Sequence, residues 1–167
     1  MEDFLVFSDL HLHNWKYGSA VNSGGYNTRL VEQLDVLGQV YSYAAENNIA
    51  LVMFCGDMFH THQTLHVGPL ALAAKFFRGW SQVNEITTWV IPGNHDMADR
   101  AGNITSVEAL GDSVHLIRDM EEDQIQNQWL NFLPYTQNPE KIKKFLTLLP
   151  EGSYGFMHSG IQKVAAN

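Results

Sequence analysis

Residues 49–60 read Ile-Ala-Leu-Val-Met-Phe-Cys-Gly-Asp-Met-Phe-His, an apolar run that ends at a glycine and a carboxylate. The run from Ile49 to Cys55 is short and contains β-branched and aromatic residues, which predicts a buried strand. Because Gly56 lets the backbone approach closely, Asp57 is expected where this strand gives way to a loop. The segment therefore places a potential metal ligand at the carboxyl end of a strand.

Three further segments repeat this arrangement of an apolar run followed by metal-binding side chains. The runs Phe4–Phe7, Thr88–Ile91 and Tyr154–Met157 precede Ser8-Asp9-Leu10-His11, Gly93-Asn94-His95-Asp96 and His158-Ser159-Gly160. Each run is predicted to be a strand, which puts its polar residues at a strand end. The four segments are therefore expected to meet at one edge of a sheet.

Segments with helical periodicity separate the first three runs. Asn27 or Thr28 can cap a helix whose apolar residues recur at helical spacing. A second helix is predicted from about His66 to Val83, with Pro69 tolerated in its first turn. Alternating strands and helices favour a mainly parallel sheet, in which ligands gather at the carboxyl ends of the strands.

The pattern becomes less regular after Asp96. Strands are predicted at Val114–Ile117 and Trp129–Leu133, and an amphipathic helix is predicted from Glu140 to Leu149. The acidic stretch Asp119–Asp123 is interpreted as a solvated turn.

Length, charge and cysteine content limit the protein class. The 167 residues, 45% of them hydrophobic, suffice for one core, so residues 1–167 are predicted to form a single domain. No apolar stretch approaches the length of a membrane span, and a cytoplasmic location is expected. A formal charge of −8 argues against a broad basic face for nucleic acid. Cys55, in an apolar strand, is interpreted as a buried structural thiol.

The polar residues suit a site for two divalent ions. Asp9 and His11 can hold one ion, and the Asp57 carboxylate can bridge two ions. Asn94 and His158 offer ligands for the second ion. This set of oxygen and nitrogen donors, which contains no thiolate, suits Mn²⁺, Fe²⁺ or Zn²⁺. Two such ions generate a hydroxide nucleophile near neutral pH, so hydrolysis of phosphate esters is expected.

Two residues in the third segment are candidates for catalysis. His95 can point over the ions and donate a proton. Asp96 is expected to hydrogen-bond the His95 ring, fix its tautomer and raise its pKa.

These motifs resemble the calcineurin-like metallophosphoesterases, whose signature runs Asp-x-His, Gly-Asp, Gly-Asn-His-Asp/Glu, His and Gly-His-x-His. The first three motifs correspond to Asp9-Leu10-His11, Gly56-Asp57 and Gly93-Asn94-His95-Asp96, and His158 suits the fourth. The resemblance implies an α/β fold with a β-sandwich flanked by helices. No Gly-His-x-His follows His158, so the fold is expected to be truncated at its C-terminus.

Within this superfamily, the chain resembles the DNA-repair nucleases, which include the nuclease component of the bacterial SbcCD complex and phage recombination exonucleases. Gly56-Asp57-Met58-Phe59-His60 and Asn131-Phe132-Leu133-Pro134-Tyr135 carry this resemblance. It implies a DNA substrate, a coiled-coil ATPase partner, a homodimer and two ions, with Mn²⁺ preferred over Fe²⁺, Zn²⁺ or Mg²⁺.

Several alternatives remain compatible with the sequence. A phosphoesterase acting on a small molecule, a nucleotide or a phosphoprotein would share every ligand and differ in the surrounding loops. A noncatalytic or split fragment that needs a missing half is the other alternative. Locally, Asp9 could cap a turn and His158 could be merely hydrogen-bonded. Other histidines are interpreted as loop residues or as residues that support the ligands: His13, His60, His62 and His66.

Overall fold

The first sheet carries the motifs that contain the first four candidate ligands. In this computed structural model, which describes residues 3–99, 104–125 and 127–159, its strands are β1 (Phe4–Phe7), β2 (Leu51–Cys55), β3 (Thr87–Ile91) and β4 (His115–Leu116). They lie in this spatial order, and each pair is parallel. Phe7 pairs with Phe54, and Cys55 pairs with Ile91. The carboxyl ends of β1, β2 and β3 are therefore level with one another.

Two long helices connect these strands. The helix α1 (Thr28–Glu46) begins at Asn27, whose side chain accepts from the Leu30 amide, and α2 (Val67–Asn84) ends at Glu85, which has a left-handed backbone. The α1 residues Leu37 and Tyr41 are fully buried. The predicted capping residue and both predicted helices are confirmed.

The second sheet consists of β5 (Glu121–Ile125), β6 (Gln128–Leu133) and β7 (Tyr154–Met157), in that order. The strands β5 and β6 are antiparallel, whereas β6 and β7 are parallel. A parallel pair requires a crossover connection. The helix α3 (Pro139–Leu148) lies within that connection, and the Asn138 side chain caps it.

Alternate residues of β2 face two different cores. Val52 and Phe54 pack with the residues of α1 and α2, whereas Met53 packs with Phe132 of β6. This alternation follows from the two-residue period of a strand. The molecule is thus a sandwich of two sheets with helices on the outer face of the first sheet, which confirms the predicted fold class. None of the helices within the described ranges is long and apolar enough to cross a membrane.

The structure differs from the prediction in the region before β6. Residues 121–123, predicted to lie in a turn, belong to the exposed strand β5, where Glu122 pairs with Asn131. The acidic side chains are compatible with a strand here because they face solvent. The predicted strand at Val114–Ile117 is reduced to His115–Leu116, and a 3₁₀ segment at Ser106–Ser113 precedes it.

Candidate metal centre

The turns after β1, β2 and β3 are bonded to one another beyond the strands. The Asp9 amide donates to the Gly56 carbonyl over 3.0 Å, and the His11 amide donates to the Asp57 carbonyl over 2.9 Å. The His95 amide donates to Asp57 Oδ1 over 2.8 Å. The first three motifs therefore meet around Asp57, at the carboxyl edge of the parallel sheet.

Two glycines allow this close approach. A Cβ atom at Gly56, whose φ is 95°, would lie 2.1 Å from His158 Nδ1. A Cβ atom at Gly93 would lie 2.2 Å from Asp57 Oδ1 and 2.3 Å from Asp57 N. A larger residue at either position would displace a candidate ligand, which explains the glycine in the second and third motifs.

Three candidate ligands have unusual backbone conformations. The φ angles of Asp9, His11 and Asp57 are 59°, 48° and 60°, all in the left-handed region. Residues other than glycine rarely adopt this region, and such strain concentrates at functional sites. Here the positive φ angles occur at the turns that present side chains to the sheet edge.

The side chains of the five predicted metal ligands lie close together. His11 Nε2 is 3.7 Å from Asp9 Oδ1 and 3.7 Å from Asp57 Oδ2. His158 Nε2 is 3.5 Å from Asp57 Oδ1 and 3.2 Å from Asn94 Oδ1. Asp57 lies between the two histidines and is buried, as a bridging ligand would be.

Hydrogen bonds orient His158 towards the other candidate ligands. Its Nδ1 atom donates to the Cys55 carbonyl over 2.8 Å, so Nε2 faces the oxygens of Asn94 and Asp57. The contact with Asp57 raises the pKa of His158 to about 9. Burial by itself would raise the pKa of Asp57, but the bonds from His158 and the His95 amide hold it below its usual value.

These donors fit divalent metal ions. Two carboxylates, two imidazoles and an amide oxygen converge, and the ligand atoms of Asp9, Asp57 and His158 lie within 4.8 Å of one another. Mixed oxygen and nitrogen donors suit Mn²⁺, Fe²⁺ or Zn²⁺. With Nδ1 bonded to a carbonyl, a neutral His158 has its Nε2 lone pair free for a metal, an arrangement common among metal-binding histidines.

His95 lies beside this cluster within a group of histidines. Its Nδ1 atom donates to the His60 carbonyl over 2.6 Å, which leaves Nε2 for exchange of a proton. The rings of His60 and His62 stack on it, with centroids 5.5 Å and 4.3 Å away. His11, His60 and His95 form a second group with ligand atoms within 4.8 Å of one another. These contacts show that His60 and His62, predicted as loop or supporting residues, adjoin the site.

The structure corrects the predicted partner of Asp96. Its buried carboxylate accepts hydrogen bonds from the amides of Met58, Phe59 and Gly93 over 3.2, 3.0 and 3.0 Å. The prediction that Asp96 bonds the His95 ring is therefore wrong, because the His60 carbonyl takes that place. Burial raises the pKa of Asp96 to about 6, although the amide bonds oppose this shift. Asp96 joins the turns after β2 and β3.

Gln33 supports the first motif and was not among the predicted site residues. From α1, its Nε2 atom donates to the carbonyls of Leu10 and His11 over 2.8 and 2.9 Å. Its Oε1 atom accepts from the His13 amide over 3.3 Å. A polar residue within an otherwise apolar helical stripe is the only signal of this role in the sequence.

Cys55 has a structural role, as its position in a strand indicates. Burial raises the pKa of its thiol to about 12, so the thiolate is scarce at neutral pH. Its contribution to the site is the carbonyl that accepts from His158.

Comparison with known proteins identifies a family and a nuclease relative. The profile of the calcineurin-like phosphoesterase family matches residues 3–165. One of the subunits of the nuclease SbcCD from Bacillus subtilis (strain 168) is 33% identical over 95 residues, which are 54% of this chain and 22% of that protein. The matched segment thus spans about a fifth of the length of the curated relative.

Two solved structures are also similar to this chain. The nuclease MPE of Pseudomonas putida is 18% identical, with a TM-score of 0.45 over 78% of this chain and 52% of that chain. A protein of unknown function from Aquifex aeolicus is 12% identical, with a TM-score of 0.43 over 97% of this chain and 82% of that chain.

Proposed function

Because the chain belongs to the calcineurin-like phosphoesterase family, we propose that it hydrolyses phosphodiesters with two divalent ions and that its substrate is DNA. The convergence of two carboxylates, two imidazoles and an amide oxygen around Asp57 is the observation that supports this proposal. Asp9 and His11 would hold the first ion, Asp57 would bridge, and Asn94 and His158 would hold the second.

The chain's own residues would position the substrate and supply a proton. When bound, the ions supply Lewis acidity and a water-derived nucleophile at neutral pH. Protonated His95 is held by the His60 carbonyl through Nδ1, so its Nε2–H can donate to the departing oxygen. That proton ends on the alcohol product, and neutral His95 takes up another from solvent.

Three observations bear on the choice of DNA and on the partners. The matched relative is named as part of a nuclease that has more than one kind of chain, which supports a DNA substrate and a partner protein. The resemblance to the repair nucleases points to a coiled-coil ATPase as this partner and also implies a homodimer and Mn²⁺. The formal charge of −8 is compatible with a partner that provides most contacts to the DNA backbone.

A cleavage assay tests this proposal. Protein loaded with Mn²⁺ is incubated with single-stranded DNA, double-stranded DNA and bis(p-nitrophenyl) phosphate, and the products are measured. Cleavage of DNA is expected, and Asp57→Asn should abolish it because an amide bridges two cations poorly. The matched control is Asp35→Asn, at an exposed position on α1, which should retain full activity.

Two outcomes would contradict parts of the proposal. Hydrolysis of the simple diester with both forms of DNA left intact would replace DNA by a small-molecule substrate. Failure to cleave any of the three substrates would contradict phosphodiester hydrolysis itself.

A further inference from the structure

A cavity of about 540 Å³ opens beside the candidate metal centre. Its described lining includes Asn94, a proposed ligand of the second ion, and His62, whose ring stacks on His95 at 4.3 Å. The volume is within the usual range for small-molecule sites. A group bonded to a phosphate at the metal centre would therefore lie at this cavity.

The described lining suits an uncharged polar group better than a second phosphate. Two amide side chains, Gln63 and Gln137, line the cavity, and no lysine or arginine is among its described lining residues. Asp99 adds a carboxylate to the lining. A phosphate would meet an acidic group without a cationic side chain, whereas a base or sugar could use the amides as donors and acceptors.

Aromatic rings form two parts of the wall. Tyr135 lies at the carboxyl end of the second sheet, and its amide donates to the Pro92 carbonyl over 3.0 Å. Its Oη atom accepts from Gln137 Nε2 over 2.8 Å. The ring is thus fixed from the backbone and from the hydroxyl, and His62 supplies a second ring. Stacking on such rings is a common way to bind a nucleobase.

From these contacts we propose that the cavity binds the nucleoside next to the scissile phosphate, with Tyr135 and Gln137 as its main contacts. This inference rests on the proposed phosphodiester hydrolysis, because it makes the cavity part of the substrate site. It also explains how a chain with net negative charge can prefer a nucleic acid: recognition uses the uncharged base and sugar beside the metals.

Matched substrates and a binding measurement test the inference. Thymidine 5′- and 3′-(p-nitrophenyl phosphate) are compared with methyl p-nitrophenyl phosphate, which lacks the nucleoside. At least one thymidine ester should have a kcat/KM roughly fivefold or more above that of the methyl ester. Tyr135→Ala should reduce this ratio to near one, and Gln137→Ala should reduce it partly.

Binding of thymidine to the metal-free protein provides a measurement that does not depend on hydrolysis. Saturation-transfer NMR should detect thymidine on the wild type, with binding weakened roughly fivefold or more in Tyr135→Ala. Tyr43→Ala is the matched control, since Tyr43 is 55% exposed on α1, and it should leave both measurements unchanged.

The outcomes separate the two proposals. Equal kcat/KM values for all three esters, or binding of thymidine that Tyr135→Ala does not weaken, would overturn the nucleoside site while phosphodiester hydrolysis stands. Tyr135-dependent binding of thymidine by a protein that hydrolyses none of the esters would support the nucleoside site and contradict the proposed reaction.

Discussion

Gly93 and Asp57 show how a single residue determines the geometry of the site. The Gly93 position leaves no room for a side chain, since an added Cβ atom would lie 2.2 Å from Asp57 Oδ1. Gly93→Ala should lower the free energy of unfolding by about 1–3 kcal/mol and weaken Mn²⁺ binding. Urea denaturation and a metal titration measure the two effects.

Gly38→Ala is the control for this substitution. Gly38 lies within α1, and an added Cβ atom would have no heavy atom within 4 Å. Alanine favours helix, so the variant should be unchanged or more stable by up to about 1 kcal/mol. An equal loss of stability in both variants would contradict the steric explanation at Gly93.

His95 is the residue whose proposed role is easiest to separate from structure. His95→Asn should lower kcat for DNA by about 10²–10⁴ because the departing alkoxide loses its proton donor. For p-nitrophenyl esters the loss should be much smaller, since p-nitrophenolate leaves without protonation. Steady-state kinetics on both substrates measures this difference.

His115→Asn is the matched control, because His115 is an exposed histidine on β4 beside Trp89. It should leave kcat unchanged on both substrates. A loss in His95→Asn that is equal for good and poor leaving groups would remove His95 from the role of proton donor.

Asp96 has a structural role at the residue scale. Asp96→Asn replaces an oxygen acceptor by an amide donor and leaves at least one of three buried backbone amides unpaired. The metal-free variant should lose about 1–3 kcal/mol of unfolding free energy, whereas the exposed control Asp35→Asn should not. A fully stable Asp96→Asn variant that has lost activity would instead support the direct catalytic role predicted from sequence.

At the scale of elements, α1 contributes both to the core and to the first motif. Leu37 on this helix is 0% exposed, whereas the adjacent Val36 is 54% exposed. Leu37→Ala should lower the free energy of unfolding by about 2–5 kcal/mol, and Val36→Ala should change it by less than about 0.5 kcal/mol. Chemical denaturation of both variants tests which face of α1 is packed, and equal losses would contradict the assignment.

The elements that were predicted from sequence are those with strong local signals. The runs before Asp9, Asp57, Asn94 and His158 are strands because short apolar sequences bounded by glycine or polar residues have few other solutions. The exposed strand β5 was not predicted, since its acidic residues are disfavoured in strands and its pairing with β6 decides its conformation.

The site was predicted in its ligands and less well in its supporting contacts. Five predicted ligands converge because each follows a strand, and parallel strands end at one edge. The partner of Asp96 and the role of Gln33 depend on which backbone groups are left unpaired after folding, and residue spacing does not encode this. That residues 1–167 form a single domain stays a prediction.

At the scale of the whole molecule, the two sheets contribute different parts of the site. The parallel sheet presents Asp9, Asp57 and Asn94, and β7 of the second sheet presents His158. The core between the sheets, which includes Met53 and Phe132, therefore sets the distance between the first three motifs and His158. Metal binding should stabilise the folded molecule, because the ions bind the assembled donors and the unfolded chain lacks them.

Titration with Mn²⁺ tests the central claim most directly, since it counts the ions that the assembled ligands hold. Isothermal calorimetry with electron paramagnetic resonance should detect two Mn²⁺ ions per chain in the wild type, with magnetic coupling between them. Asp57→Asn should remove the coupling and at least one of the ions, while Asp35→Asn should retain both. Binding of the same number of coupled ions by Asp57→Asn and by the wild type would contradict the account.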